Sequence, residues 1–251
     1  MPPPFPMNLF QNTKLFFAIG AVIMIGGVVA AAILGSRNPG AETNPDFEPT
    51  PTATASGSAT PDASATASPS ATAVVKTFQA AEQVTNGATH NYTATIKTNK
   101  GDITLKLYAD VAPKTVNSFA FLAGEGYFDG IIFHRVVPDF VIQAGDPTAS
   151  GSGGPGYQTP DEPNQLPNKK YTLSMAKTAG ATSFGSQFFI NLKDNPSLDF
   201  SNTRGDKFYP WAEVTGGKEI VDAIGKVATN QNGRPVEPVT ILAVVIDEKA
   251  K

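Results

Sequence analysis

The groups able to do chemistry in this chain are few, and those that stand together are an arginine, an aromatic ring and an amide. In Phe133-His134-Arg135-Val136-Val137-Pro138-Asp139-Phe140-Val141-Ile142-Gln143-Ala144-Gly145-Asp146 they sit on a backbone otherwise made of strand-forming Val, Ile and Phe. Side chains of an extended chain alternate between faces, so Arg135 and Val137 share one. Beyond the Pro138-Asp139 turn, Val141 and Gln143 share one as well. An arginine on an apolar wall reads in two ways. It is either a surface side chain with its stem laid on the wall, or a fixed donor able to stabilise a polar transition state without moving a proton. Other chemistries are poorly supplied. The chain has no cysteine, which removes thiol catalysis and disulfides. His90 and His134 are its only histidines and lack acids at ligand spacing, so no metal or cofactor is expected. Asp194 and Asp199 flank a turn and form no carboxylate pair suited to hydrolysis.

A second stretch decides between the two readings of Arg135. Ser174-Met175-Ala176-Lys177 is followed, after a loop with Gly and Ser, by Gly185-Ser186-Gln187-Phe188-Phe189-Ile190. Together FHRVVPDFVIQAGD and SMAK…GSQFFI resemble the cyclophilin family of peptidyl-prolyl cis/trans isomerases, over roughly Tyr92 to Ile246.

The resemblance implies an activity and a set of roles. Rotation about an X–Pro bond faces a barrier of about 18–20 kcal/mol because the amide loses resonance. A donor that favours the twisted state lowers that barrier without acid, base, nucleophile or cofactor. By the family match, Arg135 is that donor, Gln143 holds it, and Phe140 with Val141, Phe189 and Leu198 grips the proline ring. Ala176 and Lys177 offer backbone groups to the residues before proline, and Gln187 lines the neighbouring subsite. The loop beginning at Gly151 lies beside the groove. Its Gly151-Ser152-Gly153-Gly154-Pro155-Gly156 has the spacing of a dinucleotide-binding turn, but the proline-rich stretch after it has no helical period to receive a pyrophosphate.

Departures from the family pattern fall in the same groove. Val141 stands where Met is common and Lys177 where Asn is common. Ser197 matches a Trp that binds cyclosporin in some members. A pocket histidine of some members corresponds to Phe208 or Tyr209.

The elements that must position these residues follow from periodicity. Tyr92, Ala94 and Ile96 alternate with polar residues, and the alternation resumes at Ile103, Leu105 and Leu107 after Asn99-Lys100-Gly101, which predicts a β-hairpin. Pro113 opens a helix with Val116, Phe119, Ala120 and Ala123 on one stripe, ending at Gly124 or Gly126. Further strands are expected at Ile131–Val137, Phe140–Gln143, Tyr171–Met175, Gln187–Leu192, Tyr209–Val214 and Val239–Ile246, with a short helix at Lys218–Ile224. The fold class is mainly β, a closed eight-stranded antiparallel barrel capped by two α-helices. Trp211 and His134 read as packed in that barrel.

Before this domain the composition changes twice. Leu15 to Leu34 is an uncharged apolar run of 20 residues. At about 1.5 Å per residue it spans roughly 30 Å, the thickness of a bilayer core. Ala30-Ala31-Ala32 would suit a signal-peptide cleavage site. The run exceeds the usual h-region of about 7–15 residues, and an uncleaved transmembrane helix is the reading adopted. Asn38 to Ala73 is almost wholly Pro, Thr, Ala and Ser and has too little apolar bulk to fold. The expected organisation is therefore a cytoplasmic segment at 1–14, a membrane anchor at 15–36, a disordered linker at 37–88 and an isomerase domain at 89–251. That domain would lie outside the cytoplasm as a monomer, with proline-containing peptides and exported proteins as partners. A net charge of −3 argues against nucleic acid. The alternative function is a tethered proline-peptide binding or chaperone module with little catalysis.

Overall fold

The computed structural model describes residues 75–203 and 205–251. The expected anchor and most of the expected linker lie outside them. Among the described residues no helix is long and apolar enough to cross a membrane.

The hairpin predicted by alternation forms: β1 (His90–Thr98) pairs with β2 (Gly101–Leu107), with Ala94, Ile96, Ile103 and Leu105 fully buried on the inner face. After it comes α1 (Pro113–Gly124), with proline in the first turn. Ala112 supplies no side-chain cap. The carboxylate of distant Glu162 does so instead, accepting from the amides of Lys114 (3.0 Å) and Thr115 (2.8 Å) and from the Thr115 hydroxyl (2.7 Å). An acid at this end also complements the helix dipole.

Next come β3 (Arg135–Val137), β4 (Val141–Ala144), β5 (Thr159–Pro160), β6 (Thr172–Met175), β7 (Ser183–Phe184), β8 (Phe188–Asn191), β9 (Pro210–Gly216), α2 (Lys218–Ile224) and β10 (Ile241–Ala250). Eight of the strands make one antiparallel sheet in the order β10-β1-β2-β9-β6-β8-β4-β3, while β5 and β7 form a separate pair. The expected β10 partner of β3 is missing, which corrects the closed barrel to a curled sheet. The seam between its ends is held by a single bridge, Ile132 to Thr240, and by three amides at 2.8 Å, Phe133 on the Val239 carbonyl, Ile241 on the Ile131 carbonyl and Gly130 on the Ile241 carbonyl. Ile131–His134 carries one bridge and no ladder, and β3 begins only at Arg135. The free edge of β3 is covered by a loop, whose Gly233 carbonyl accepts the Val136 amide at 2.7 Å.

Inside the curl lies an aromatic cluster. Phe119 of α1 meets Trp211 at 4.8 Å, Phe128 at 5.1 Å and Phe188 at 5.8 Å between ring centroids. The interior is filled with side chains, so a ligand site must lie on the outer wall. Residues 76–88, within the segment expected to be linker, pack on the domain: Phe78 meets Phe121 edge-on at 5.1 Å, and Asn117 ties down Val84 and Thr85.

Candidate active site

Strand pairing alone assembles the centre of the outer wall. Arg135 is the register partner of Gln143 across β3 and β4, and Gln143 is the partner of Phe189 across β4 and β8. Residues paired in register point to the same face, so cation, amide and aromatic form one row. Arg135 Nη1 donates to Gln143 Oε1 at 3.4 Å, Gln143 Nε2 donates to Gln187 Oε1 at 2.9 Å, and Gln187 Nε2 donates to the Gly153 carbonyl at 3.0 Å. The guanidinium thus stands at one end of a relay of oriented amides. Burial lowers its pKa from the ordinary arginine value, yet an arginine side chain keeps its charge in proteins.

Beside this row is an apolar wall. Val141 (2% exposed) and Phe189 (5%) are buried but stand outside the core cluster. Phe208 meets Phe189 edge-on, 5.5 Å between centroids at 75°. Of the two candidates Phe208 and Tyr209, Phe208 is the one whose ring meets Phe189. Its amide donates to the Leu198 carbonyl (2.9 Å), which brings the short 3-10 turn at Pro196–Leu198 to the same rim. Phe140 sits in the three-residue turn between β3 and β4, where Asp139 takes a φ of 55°. Asp tolerates this left-handed conformation better than most residues.

Three of the expected substrate-binding residues also have contacts or surroundings of their own within the chain. The Ala176 amide donates to the Gln187 carbonyl at 2.8 Å, so it is engaged within the sheet rather than free for a ligand. The Lys177 side chain, only 5% exposed, is ion-paired with Asp161. Gly151 is exposed, and the glycine loop reaches the groove through Gly153 instead.

That loop is organised by Asp146, a residue with no functional signal in the sequence. Its carboxylate accepts from the amides of Thr148 (2.7 Å), Gly151 (2.6 Å) and Gly153 (3.1 Å) and from the Thr148 hydroxyl (2.7 Å). Burial would raise its pKa, but these hydrogen bonds outweigh it and hold the carboxyl below its ordinary value. A Cβ at Gly153 would come within 2.1 Å of Asp146 Oδ1, so this position admits only glycine without movement. No helix follows the loop, which leaves the G-x-G-x-x-G spacing without the structure a pyrophosphate needs.

A buried asparagine network, also silent in the sequence, holds the other rim. Asn195 Nδ2 donates to Asn191 Oδ1 (2.7 Å) and to the Phe140 carbonyl (3.1 Å). Asn168 receives Ser174 Oγ (2.8 Å) and donates to the Phe208 carbonyl (2.9 Å). Asp199 accepts the Asn168 amide (2.6 Å) and Asp194 the Lys170 amide (2.8 Å), so both acids serve as loop ties. His134 is 8% exposed and points into the protein, as expected of a packed histidine. Burial lowers its pKa most, Arg135 and Arg234 lower it further, and Asp146 works against them.

Comparison with known proteins identifies the family. Residues 93–246 match the family described as cyclophilin type peptidyl-prolyl cis-trans isomerase/CLD. The chain is 41% identical over 182 residues to a probable peptidyl-prolyl cis-trans isomerase A of Mycobacterium leprae, covering 65% of this chain and 96% of that protein. It is 42% identical over 159 residues to a peptidyl-prolyl cis-trans isomerase-like 1 of Aspergillus niger, covering 61% and 93%. A crystal structure of a cyclophilin type isomerase from Cryptosporidium parvum superposes with a TM-score of 0.58 at 29% identity, covering 62% of this chain and 98% of that one. A second structure of that isomerase, in the presence of the dipeptide Ala-Pro, gives 0.56 at 30% identity with the same coverage.

Proposed function

The chain belongs to the cyclophilin-type peptidyl-prolyl cis-trans isomerase family, and from that premise we propose that it isomerises X–Pro bonds of exported proteins from a membrane tether, with Arg135 as the donor. The observation that carries the site assignment is the relay from Arg135 through Gln143 and Gln187 to Gly153, set beside the Val141, Phe189 and Phe208 wall.

The proline ring enters the wall of Val141, Phe189, Phe208, Leu198 and Phe140, which fixes the residue on one side of the rotating bond. In the twisted state the imide nitrogen regains a lone pair. The guanidinium donates to that nitrogen, an interaction absent from the planar ground state, so it lowers the barrier rather than only tightening binding. Gln143 keeps the guanidinium from swinging to solvent. Gln187, fixed from both sides, lines the subsite before proline, and the Ala176 carbonyl and the Lys177 backbone take the peptide's main chain. The dipeptide in the Cryptosporidium structure supports an X–Pro ligand here.

The tether rests on the apolar run at 15–34 and the Pro/Thr/Ala/Ser-rich segment after it. An anchor there would leave the domain outside the cytoplasm on a flexible stalk.

The test is cis-to-trans exchange of an Ala-Pro peptide, read by NMR with the full chain and with its Arg135→Ala variant. The full chain is expected to accelerate exchange and the variant to lose about 10²–10³ of that rate, the scale for one transition-state donor. Near-full activity in the variant would remove Arg135 from this role. Peptide shifts without faster exchange in either protein would favour the binding module. Protease treatment of intact cells, which should release the domain, tests the side of the membrane.

A further inference from the structure

We propose that Lys177 is a positioning residue for the proline pocket: its ammonium, paired with Asp161 beneath the groove, holds the Phe208 ring edge-on to Phe189. The proposal rests on the groove assignment above and names a device that assignment does not contain.

The Lys177 side chain is 5% exposed and that of Asp161 14%, so the cation cannot present itself to a bound peptide as a surface lysine would. It faces aromatic rings instead. Nζ lies 5.5 Å from the centroid of Phe208 and 5.4 Å from that of Tyr209, within cation–π range. The space around the pair is a cavity of about 10 Å³ lined by Asp161, Glu162, Lys177, Phe208 and Tyr209 among others. It has room for about one water, and the attraction is therefore little screened.

Phe208 has its backbone fixed by other means, the amide on the Leu198 carbonyl and the carbonyl on Asn168 Nδ2, both at 2.9 Å. Its ring remains to be held, between Phe189 and the ammonium. The lysine is itself clasped. The Asp161 amide donates to the Thr182 carbonyl (2.9 Å), beside the β5–β7 pairing, and the Gly180 amide donates to Asp206 Oδ1 (2.8 Å), two residues before Phe208. Both contacts tie the loop after Lys177 to the segments that follow β5 and precede β9.

Stability does not account for the pair, because a buried ion pair gains little over well-packed apolar side chains of similar volume. A fixed cation under a pocket ring does give it a use. With Val141 a small side chain in this wall, the ring angle of Phe208 decides how closely the pocket fits proline.

The test compares the full chain with a Lys177→Met/Asp161→Leu double variant, which leaves no charge buried alone. KM and kcat come from NMR exchange of an Ala-Pro peptide, and affinity from the peptide's chemical shifts. The double variant is expected to keep its melting temperature and to bind the peptide about tenfold more weakly, with the loss read in KM and in affinity. Phe208→Leu is expected to weaken binding similarly, and the triple variant to add little further loss, since all act through one ring. Unchanged affinity in the double variant, or losses that add in full, would overturn the proposal. Binding without turnover in the wild-type chain would instead overturn the isomerase reading, and the effect of Lys177 on affinity would still be measured.

Discussion

Arg135 and Gln143 face each other as register partners across β3 and β4, with the guanidinium donating to the amide oxygen at 3.4 Å while the same amide's nitrogen donates to Gln187 at 2.9 Å. The first bond is long and the second of ordinary length. On the proposed reading, the loosely held guanidinium can tighten onto a twisted imide.

Gln143→Leu severs both bonds and should lower kcat/KM by about tenfold to a hundredfold, the scale of a hydrogen bond to a charged group. Gln187→Leu leaves Arg135 its partner and should cost less. Exchange rates for the two variants beside Arg135→Ala check the order. Equal losses in Gln143→Leu and Gln187→Leu would show that the two act on the peptide rather than through the arginine.

Acid should destabilise the domain through His134. Its folded-state pKa lies below the ordinary 6.5 because burial, then Arg135 and Arg234, disfavour the imidazolium against the pull of Asp146. Above that value both states are neutral and nothing is lost; as pH falls below it, the unfolded chain takes up a proton that the folded one refuses, so stability declines. The Asp146 carboxyl, held below its ordinary 3.8, contributes stability present above that value and lost only as pH falls through the lower folded one. Between pH 7.5 and 5.5, only the histidine of these two responds. Trp211, the only tryptophan and fully buried, reports melting of this domain. The wild-type melting temperature should fall more over that interval than that of His134→Phe; parallel slopes would assign the acid sensitivity elsewhere.

Glu162→Ala removes the acceptor for three groups at the start of α1 and should cost about 1–2 kcal/mol, the value of a strong helix cap. Urea unfolding followed by Trp211 should show a lower midpoint with an unchanged slope. A midpoint equal to that of the wild type would mean that water replaces the carboxylate without loss.

What the sequence by itself determined is whatever repeats along the chain or sits in one contiguous motif. The alternation at Tyr92–Leu107 placed a hairpin, the stripe from Val116 to Ala123 placed a helix, and FHRVVPDFVIQAGD carried Arg135 and Gln143 in one motif, which the β3–β4 register then set opposite each other. These features depend on local geometry, which a period of 2 or 3.6 records directly. Only the tertiary structure decided how distant loops meet. Lys177 pairs with Asp161 across a span of 16 residues, Gln187 reaches Gly153 across 34, and Glu162 caps a helix 47 residues before it. Asp146 and Asn168 likewise show no role until their partners arrive. A hydrogen bond between loops has no period and no preferred spacing, so the chain carries its donors and acceptors visibly but not their pairing. The seam shows the same division: strand propensity supplied eight strands for one sheet, and whether its two ends met along a ladder or at one bridge depended on how they approach in the fold.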